Sequence, residues 1–259
     1  MQVYLATLES TKFLEPMPDD YFKYGFISYL YVRNHDEKVE KVLSKCKYLL
    51  IDSGAYSLQH GRKVDIKKYI KDYHDFVERW TDNPKIVGFF EMDIDNIEKY
   101  DKILEYRKNL EEVSKKIIPI WHTERGAQNF IDMCKEYSGK RIGITAFGNI
   151  NNGQYNLFIN EAHKNKCNIH ILGMTQFSLL KTLNLHKDDS FDSSTWRQNS
   201  IYGNIATVSH HGEFYRLYAL SGLRTIAEQT LVVNFEAFHK LQELYDDVDK
   251  SVYFNEKTE

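Results

Sequence analysis

Short apolar runs alternate with amphipathic segments along most of the chain. Eight runs are apolar, most of them rich in Ile, Val, Phe or Tyr, and several end in a polar residue or glycine: Val3–Ala6, Phe26–Val32, Tyr48–Asp52, Ile86–Asp93, Ile117–His122, Arg141–Ala146, Ile169–Gly173 and Ser190–Ser194. Such runs are typical of parallel strands that are buried on both faces. They predict eight strands. The prediction of the last strand, Ser190–Ser194, rests partly on its place in the series, because its own apolar signal is weak.

The segments between these runs carry apolar residues at helical spacing. After the third run, apolar residues recur from Ile66 to Trp80 with Lys and Asp on the opposite face, and Asp65 stands where an N-cap is expected. The same periodicity predicts four more helices, around Ile97–Leu110, Phe130–Cys134, Tyr155–Ala162 and Phe177–Leu183. After Ser200 the pattern predicts helix almost to the end of the chain.

Strands that alternate with helices in this way predict an α/β fold, a (β/α)8 TIM-type barrel. The length of 259 residues agrees with this prediction, since such barrels usually have about 250 residues. The sequence contains no linker, repeat or low-complexity segment, so we expect one domain over residues 1–259, with C-terminal helices at about 205–250 closing the barrel. A doubly wound open sheet is the alternative, because the two folds share the same local pattern.

The charge pattern limits the classes of partner. The chain has 34 Lys and Arg against 37 Asp and Glu, a net charge of -3, which excludes a protein with a globally basic surface. Three basic tracts are interleaved with acidic residues and are interpreted as solvated helix faces: Lys38–Lys47, Lys63–Lys71 and Arg107–Lys116. A nucleic-acid partner would therefore be held by local patches.

The cysteines and the hydropathy pattern indicate the compartment. Cys46, Cys134 and Cys167 lie far apart and have no metal-ligand spacing, a pattern that fits a reducing cytosol better than a disulfide scaffold. The sequence shows no signal-like N-terminus and no apolar stretch near the roughly 20 residues that span a bilayer. We therefore expect a soluble cytoplasmic protein with no membrane partner.

Carboxylates stand at the predicted strand ends, where (β/α)8 barrels carry their active sites. The third run leads into Asp52-Ser53-Gly54-Ala55-Tyr56, the fourth into Glu91-Met92-Asp93-Ile94-Asp95, and the eighth contains Asp192. Two carboxylates across a pocket support glycosidic chemistry, with one as nucleophile and the other as acid and then base. The alternative is that each aspartate caps a helix or bonds a loop.

Other chemistries have weaker signals. Glu91, Asp93 and Asp95 alternate along the chain and are a competing Mg²⁺ site, the basis of a metal-dependent hydrolase. Phosphate-binding loops and a GxSxG nucleophile elbow are absent from the sequence. His210-His211 is interpreted as a surface pair rather than a metal site. The sequence therefore predicts neither a resident metal nor a cofactor.

Three motifs resemble those of the tRNA-guanine (queuine) transglycosylases. Asp52-Ser53-Gly54-Ala55-Tyr56 is similar to the family's Asp-Ser-Gly-Gly-Phe/Tyr motif, and Leu172-Gly173-Met174-Thr175 to its Gly-Thr turn. Phe191-Asp192, followed by small residues and Arg197, is similar to its second aspartate motif. The motifs keep the family's order over residues 46–205, about 60% of the chain. The resemblance implies a barrel that exchanges guanine for a modified base in nucleic acid.

The sequence also departs from the tRNA enzymes. Those enzymes are longer and carry zinc on a Cys-rich motif and a His, which the three scattered cysteines cannot reproduce, so we expect the zinc-binding subdomain to be absent. Trp121-His122 and Ser193-Ser194-Thr195-Trp196-Arg197 are more similar to the short, phage-type DNA 7-deazaguanine transglycosylases. That resemblance implies DNA and a 7-deazaguanine base such as preQ0 as partners, in the cytoplasm of the host cell if the chain is phage-encoded. The alternative is that the same base exchange takes place in tRNA.

The resemblance implies a role for each matched residue. Asp192 would attack C1′ of the nucleoside, and Asp52 would protonate the departing guanine and later deprotonate the incoming base. Asp93 would accept hydrogen bonds from the base edge, with Asp95 as the alternative for that role. The other base-binding candidates are Tyr56, His122, Gly143, Gly148, Leu172 and Gly173, and the nucleic-acid-binding candidates are Trp196 and Arg197.

Several of these residues have a simpler structural interpretation. Tyr56 fits a core aromatic, His122 a hydrogen-bonded strand-end histidine, and Trp196 a packing residue. A third functional hypothesis is therefore a non-catalytic, nucleic-acid-binding barrel that retains the motifs.

Overall fold

The computed structural model describes residues 1–145, 152–180, 182–209, 214–217 and 227–246. Within them, nine strands form one sheet, and the strand pairs with a given register are parallel. The strands are β1 (Gln2–Leu5), β2 (Phe22–Ser28), β3 (Cys46–Asp52), β4 (Ile86–Phe90), β5 (Ile117–Ile118), β6 (Ile120–Trp121), β7 (Arg141–Thr145), β8 (Asn168–Leu172) and β9 (Ser190–Ser193). With helices between them, they form an α/β (β/α)8 TIM-type barrel, so the predicted fold class is confirmed.

The helices of the described residues include one in each of the five predicted amphipathic segments before Ser200. They are α1 (Tyr29–Val32), α2 (Asp36–Lys45), α3 (Ala55–Gln59), α4 (Ile66–Trp80), α5 (Tyr100–Val113), α6 (Gly126–Glu136), α7 (Asn152–Lys164), α8 (Phe177–Leu180) and α9 (Thr195–Ile201). Asp65 is the N-cap of α4, and its carboxylate accepts a hydrogen bond from the Lys68 amide at 3.1 Å. No helix within the described ranges is long and apolar enough to cross a membrane.

Two predicted strands differ from those observed. The run Ile117–His122 is divided into β5 and β6 on either side of Pro119, because proline has no amide hydrogen for the ladder. The run Phe26–Val32 is strand only to Ser28 and continues as α1, because an apolar run does not by itself distinguish a strand from a buried helical turn. Because one predicted strand is observed as two, the sheet has nine strands where eight were predicted.

The chain divides into two compact units, and the first comprises Thr7–Ile120. Its strand order is β5-β4-β3-β2. Tyr29 lies at the centre of its aromatic core, with ring centroids 4.9–5.2 Å from those of Tyr69, Tyr73 and Phe76 on α4. The hydroxyls of Tyr69 and Tyr73 donate hydrogen bonds of 2.6 Å to the carbonyls of Ser53 and Phe90. Helix α4 therefore fixes the carboxyl ends of β3 and β4.

The second unit comprises Met1–Ala6 and the described part of Trp121–Glu259. Its strand order is β1-β9-β8-β7-β6. In this register Tyr4 pairs with Asp192, and Gly143 pairs with His170. These pairings place Asp192 near the carboxyl end of β9, beside β8 and β1.

The C-terminal part corrects the prediction of continuous helix after Ser200. Strands β10 (Ile205–Val208) and β11 (Phe214–Leu217) form an antiparallel pair, and only α10 (Ala227–Asp246) is helical beyond them among the described residues. Ala206 and Val208 are buried while Ile205 and Thr207 are exposed, which is the period of a strand with one buried face. His210-His211 lies outside the described residues.

Helix α10 is joined to the rest of the second unit by buried amides. The Gln242 side chain donates to the Val3 carbonyl at 2.7 Å. Asn234 accepts from the Ala206 amide and donates to Ser200 Oγ and to the Asn204 carbonyl. The predicted C-terminal helix is therefore present, with β1, α9 and β10 as its partners.

Candidate active site

Asp52 ends β3 and is held in a tight turn. Its Oδ2 atom accepts a hydrogen bond of 2.8 Å from the Gly54 amide. Gly54 has a φ of 85°, and a Cβ there would lie 2.6 Å from the Tyr69 hydroxyl and 2.8 Å from Leu30 Cβ. Both the backbone conformation and the space therefore require glycine. The turn fixes a partly exposed carboxylate at the strand end.

Tyr56 projects from α3 into solvent. Its side chain is 64% exposed, so its interpretation as a core aromatic is wrong. Its ring stacks on His60 with centroids 4.0 Å apart, and His60 Nδ1 lies 2.7 Å from the Tyr56 carbonyl. The position is compatible with an aromatic surface that receives a planar ligand.

Gln59, which no sequence motif singled out, connects this turn to the loop after β4. Its Nε2 donates to the Asp93 carbonyl at 2.9 Å, and its Oε1 accepts from the Asn96 amide at 2.8 Å. Asp93 is only 8% exposed, while Asp95 is partly exposed. The structure therefore brings the loop that carries both aspartates against α3, and Gln59 positions it.

Glu91 belongs to a buried ion pair and is engaged on both oxygens. Arg107 donates to Oε2 from Nε at 2.6 Å and to Oε1 at 3.0 Å, and the Ile120 amide donates to Oε1 at 2.7 Å. Strand β4 ends at Phe90, so the alternation of Glu91, Asp93 and Asp95 does not place them on one face of a strand. The proposed Mg²⁺ set therefore loses one ligand, and Arg107 is not part of a solvated helix face.

Asp192 lies on β9 with its side chain almost buried. The residue is 6% exposed, and its Oδ1 accepts a hydrogen bond of 2.8 Å from the Gly173 amide. His170 Nε2 lies 3.3 Å from the same oxygen. Within the described part of the chain, no hydrogen bond reaches Oδ2 of Asp192. One oxygen is thus fixed, and the other is available to a ligand.

His170 is a second residue that the sequence pattern did not assign to the site. It is fully buried on β8, and its Nδ1 lies 2.8 Å from Ser190 Oγ. Burial lowers the pKa of His170, an effect that the Asp192 carboxylate partly opposes. A neutral ring satisfies both contacts if the Ser190 hydroxyl donates to Nδ1 and Nε2–H donates to Asp192.

The turn after β8 supports Asp192 through its backbone. Gly173 has a φ of 68° and is partly exposed, and the Met174 amide donates to the Asp192 carbonyl at 2.9 Å. Leu172 is partly exposed at the end of β8, and Gly143 is buried within β7. Gly148 lies outside the described residues. Of the expected base-binding residues in this unit, the structure brings Gly173 directly against Asp192.

The two residues expected to bind nucleic acid, Trp196 and Arg197, differ in their exposure to solvent. Trp196 is fully buried, donates from its indole to the Ala6 carbonyl at 2.9 Å and packs edge-on against Phe235. Its expected contact with nucleic acid is therefore wrong, because no face of the ring is accessible. Arg197, the next residue on α9, is partly exposed. His122 follows β6 and is also partly exposed.

The three cysteines do not form a metal site. All are buried and free, and burial raises the pKa of the Cys46 thiol to about 12. Cys167 Sγ lies 3.1 Å from the Cys134 carbonyl in the second unit, whereas Cys46 belongs to the first. Their role within the described residues is packing.

The comparisons with known proteins add little to this geometry. No family model and no curated protein matches the chain. Among solved structures, a GH10 endoxylanase retrieved from a sugarcane soil metagenome is similar over 100% of this chain and 88% of its own, with 12% sequence identity and a TM-score of 0.41. A likeness this weak carries no argument about function. The fold itself is one that many enzymes use, with their active sites at the carboxyl ends of the strands.

Proposed function

We propose that this protein is a DNA-guanine transglycosylase, which exchanges guanine in DNA for a 7-deazaguanine base such as preQ0. In the first step, Oδ2 of Asp192 attacks C1′ of a deoxyguanosine while Asp52 protonates the departing guanine, so that the C1′–N9 bond breaks and a deoxyribosyl ester forms. In the second step, Asp52 takes the N9 proton of the incoming base, N9 attacks C1′, and Asp192 is released. Two displacements retain the configuration at C1′.

The observation that carries this proposal is the asymmetric environment of the Asp192 carboxylate. Gly173 and His170 hold Oδ1, and within the described residues Oδ2 accepts no hydrogen bond. A nucleophilic carboxylate needs this combination, because a fixed oxygen orients the group while the other oxygen keeps its lone pairs for the substrate. Burial also removes water that would shield the attacking charge.

Asp52 has the properties that an acid and base require. It is more exposed than Asp192 and stands on a turn fixed by Gly54. Its position at the end of β3 agrees with the general placement of catalytic groups in such barrels. A partly solvated carboxyl group can accept and return a proton in successive steps.

The loop after β4 supports recognition of the base. The Watson–Crick edge of guanine and of preQ0 presents N–H donors, and a carboxylate is their natural acceptor. Asp93 is the more buried of the two candidates, and Gln59 fixes its backbone. In this proposal Asp93 reads the base edge, and the exposed ring of Tyr56 stacks on a nucleobase. The partly exposed Arg197 meets a backbone phosphate.

Base exchange with radiolabelled preQ0 tests the proposal. The protein is incubated with duplex DNA, single-stranded DNA or unmodified tRNA, and label retained in each polymer is measured. We expect label in DNA with release of one guanine per base inserted, and loss of both in Asp192→Asn. Asp188→Asn is the matched control, because Asp188 is an exposed acid four residues away. Label in tRNA alone would show that the enzyme exchanges bases in tRNA and not in DNA. Label in neither polymer would refute the proposal.

A further inference from the structure

Two histidines and one aspartate meet where α7 ends and β9 begins. His163 lies in the last turn of α7, and His186 and Asp189 lie in the segment before β9. His163 Nε2 is 2.8 Å from Asp189 Oδ2, and the two imidazole rings stack with centroids 3.6 Å apart. One potential ligand atom from each residue lies within 4.8 Å of the other two.

The aspartate of this cluster is oriented by backbone amides. Asp189 is fully buried; its Oδ1 accepts from the Ile169 amide at 2.7 Å and its Oδ2 from the His186 amide at 2.6 Å. The side chain of His163 is 12% exposed, while His186 is exposed to solvent. This arrangement brings a buried, oriented carboxylate and two imidazoles, one of them open to water, within reach of one metal ion.

We propose that His163, His186 and Asp189 bind one divalent cation of the zinc class, with solvent as a fourth ligand. Two imidazoles and one carboxylate are a known zinc donor set, and nitrogen donors favour zinc, cobalt and nickel over magnesium and calcium. The cation enters between His163 Nε2 and Asp189 Oδ2. Since metal bonds lie in the plane of an imidazole, the stacked rings must tilt apart, and the exposed His186 ring has the freedom to rotate.

The position of the cluster assigns the cation a structural role. Asp189 precedes Asp192 by three residues, and extended chain of that length spans about 10 Å. The Asp189 carbonyl also accepts from the Gln2 amide at 2.8 Å, so this segment is fixed at the start of β1 and β9. A bound cation would fasten the end of α7 to the start of β9, and it would not touch the carboxylate of Asp192.

A simple hydrogen bond between His163 and Asp189 is the competing explanation, and metal titration separates the two. The full chain, freed of metal with EDTA and exchanged into buffer, is titrated with Zn²⁺ against a chromophoric chelator and with Co²⁺ by visible absorption. We expect one equivalent to bind, with d–d bands of nitrogen-ligated, four- or five-coordinate Co²⁺. A hundredfold excess of Zn²⁺ over its dissociation constant should raise the Tm by about 5 °C or more.

Variants assign the ligands. His186→Ala changes an exposed side chain, so it should fold, and it should weaken Zn²⁺ binding at least tenfold and reduce the thermal shift; His163→Ala should do the same. His74→Ala is the matched control, because His74, Asp75 and Glu78 form the other candidate cluster among the described residues. Absence of Zn²⁺ and Co²⁺ binding in the unmodified protein would overturn the proposal. Binding that survives both cluster variants, or that is lost in His74→Ala, would overturn it equally.

Discussion

His170 Nε2 lies 3.3 Å from Asp192 Oδ1, and both side chains are buried on neighbouring strands. The other ring nitrogen of His170 meets Ser190, so the imidazole is fixed from both sides. In the proposed reaction His170 does not touch the substrate, and it acts as a positioning residue for the nucleophile.

Replacement of His170 should therefore slow the chemistry more than it weakens binding of the base. A hydrogen bond to a charged group is worth about 1.5–3 kcal/mol, so we expect kcat for base exchange to fall about 10- to 100-fold in His170→Leu. The KM for preQ0 should change little. His170→Gln keeps an amide donor near the position of Nε2 and should recover part of the loss. Equal kcat in the leucine variant and the unmodified protein would contradict the role.

The buried histidine also predicts how stability depends on pH. Burial lowers the pKa of His170 in the folded protein, so below about pH 6.5 the unfolded chain binds a proton that the folded chain resists. The free energy of unfolding should therefore fall as the pH drops from about 7 to about 5, towards the lowered folded-state pKa. Urea denaturation across this range measures it. The fall should be smaller in His170→Gln, which has no proton to gain, and an identical slope in both proteins would exclude this contribution.

Gly54 should be intolerant of any side chain. A Cβ would lie 2.6 Å from the Tyr69 hydroxyl, which is itself bonded to the Ser53 carbonyl. Gly54→Ala should destabilise the protein by about 2–4 kcal/mol, as the sum of backbone strain and overpacking. Gly61→Ala separates the two effects, since Gly61 has a φ of 97° and a methyl group there would meet no atom within 4 Å. Gly61→Ala should lose only about 1 kcal/mol, and equal losses would contradict the steric argument.

The buried pair of Glu91 and Arg107 should be essential to stability rather than to metal binding. Arg107→Leu leaves a fully buried carboxylate without its cation, which typically destabilises a protein by about 3–5 kcal/mol. Lys71→Ala removes one partner of the solvent-exposed pair with Asp75 and should change the free energy of unfolding far less. Chemical denaturation compares the two. A small effect of Arg107→Leu would indicate that Glu91 finds another partner.

The fold was largely predictable because buried parallel strands have a local signature. Each of the eight apolar runs contains a strand, and Asp65 caps α4 as expected. The errors arise where the signature is ambiguous. The residues Tyr29–Val32 were predicted as strand but pack as a helical turn. The alternation of exposed and buried residues in β10 is only four residues long, so the helical prediction for this region overlooked the strand.

Of the candidate active site, the sequence pattern could predict only the carboxylates at the strand ends. Asp52 ends one apolar run and Asp192 lies within another, so their places near the strand ends could be derived from the pattern. His170 and Gln59 act through contacts with Asp192 and with the Asp93 loop, and no spacing in the sequence reports such contacts. Trp196 illustrates the opposite error, since its motif position suggested nucleic acid while its indole is packed against Phe235 and bonded to Ala6.

The most direct test of the proposed mechanism is to trap the covalent intermediate. The protein is incubated with guanine-containing DNA without an acceptor base, denatured rapidly and digested, and the peptide that carries a deoxyribosyl adduct is identified by mass spectrometry. The mechanism predicts an ester on Asp192 that forms in the unmodified protein and in Asp188→Asn, is absent in Asp192→Asn, and disappears when preQ0 is added before denaturation. An adduct on another residue, or base exchange that persists in Asp192→Asn, would contradict it.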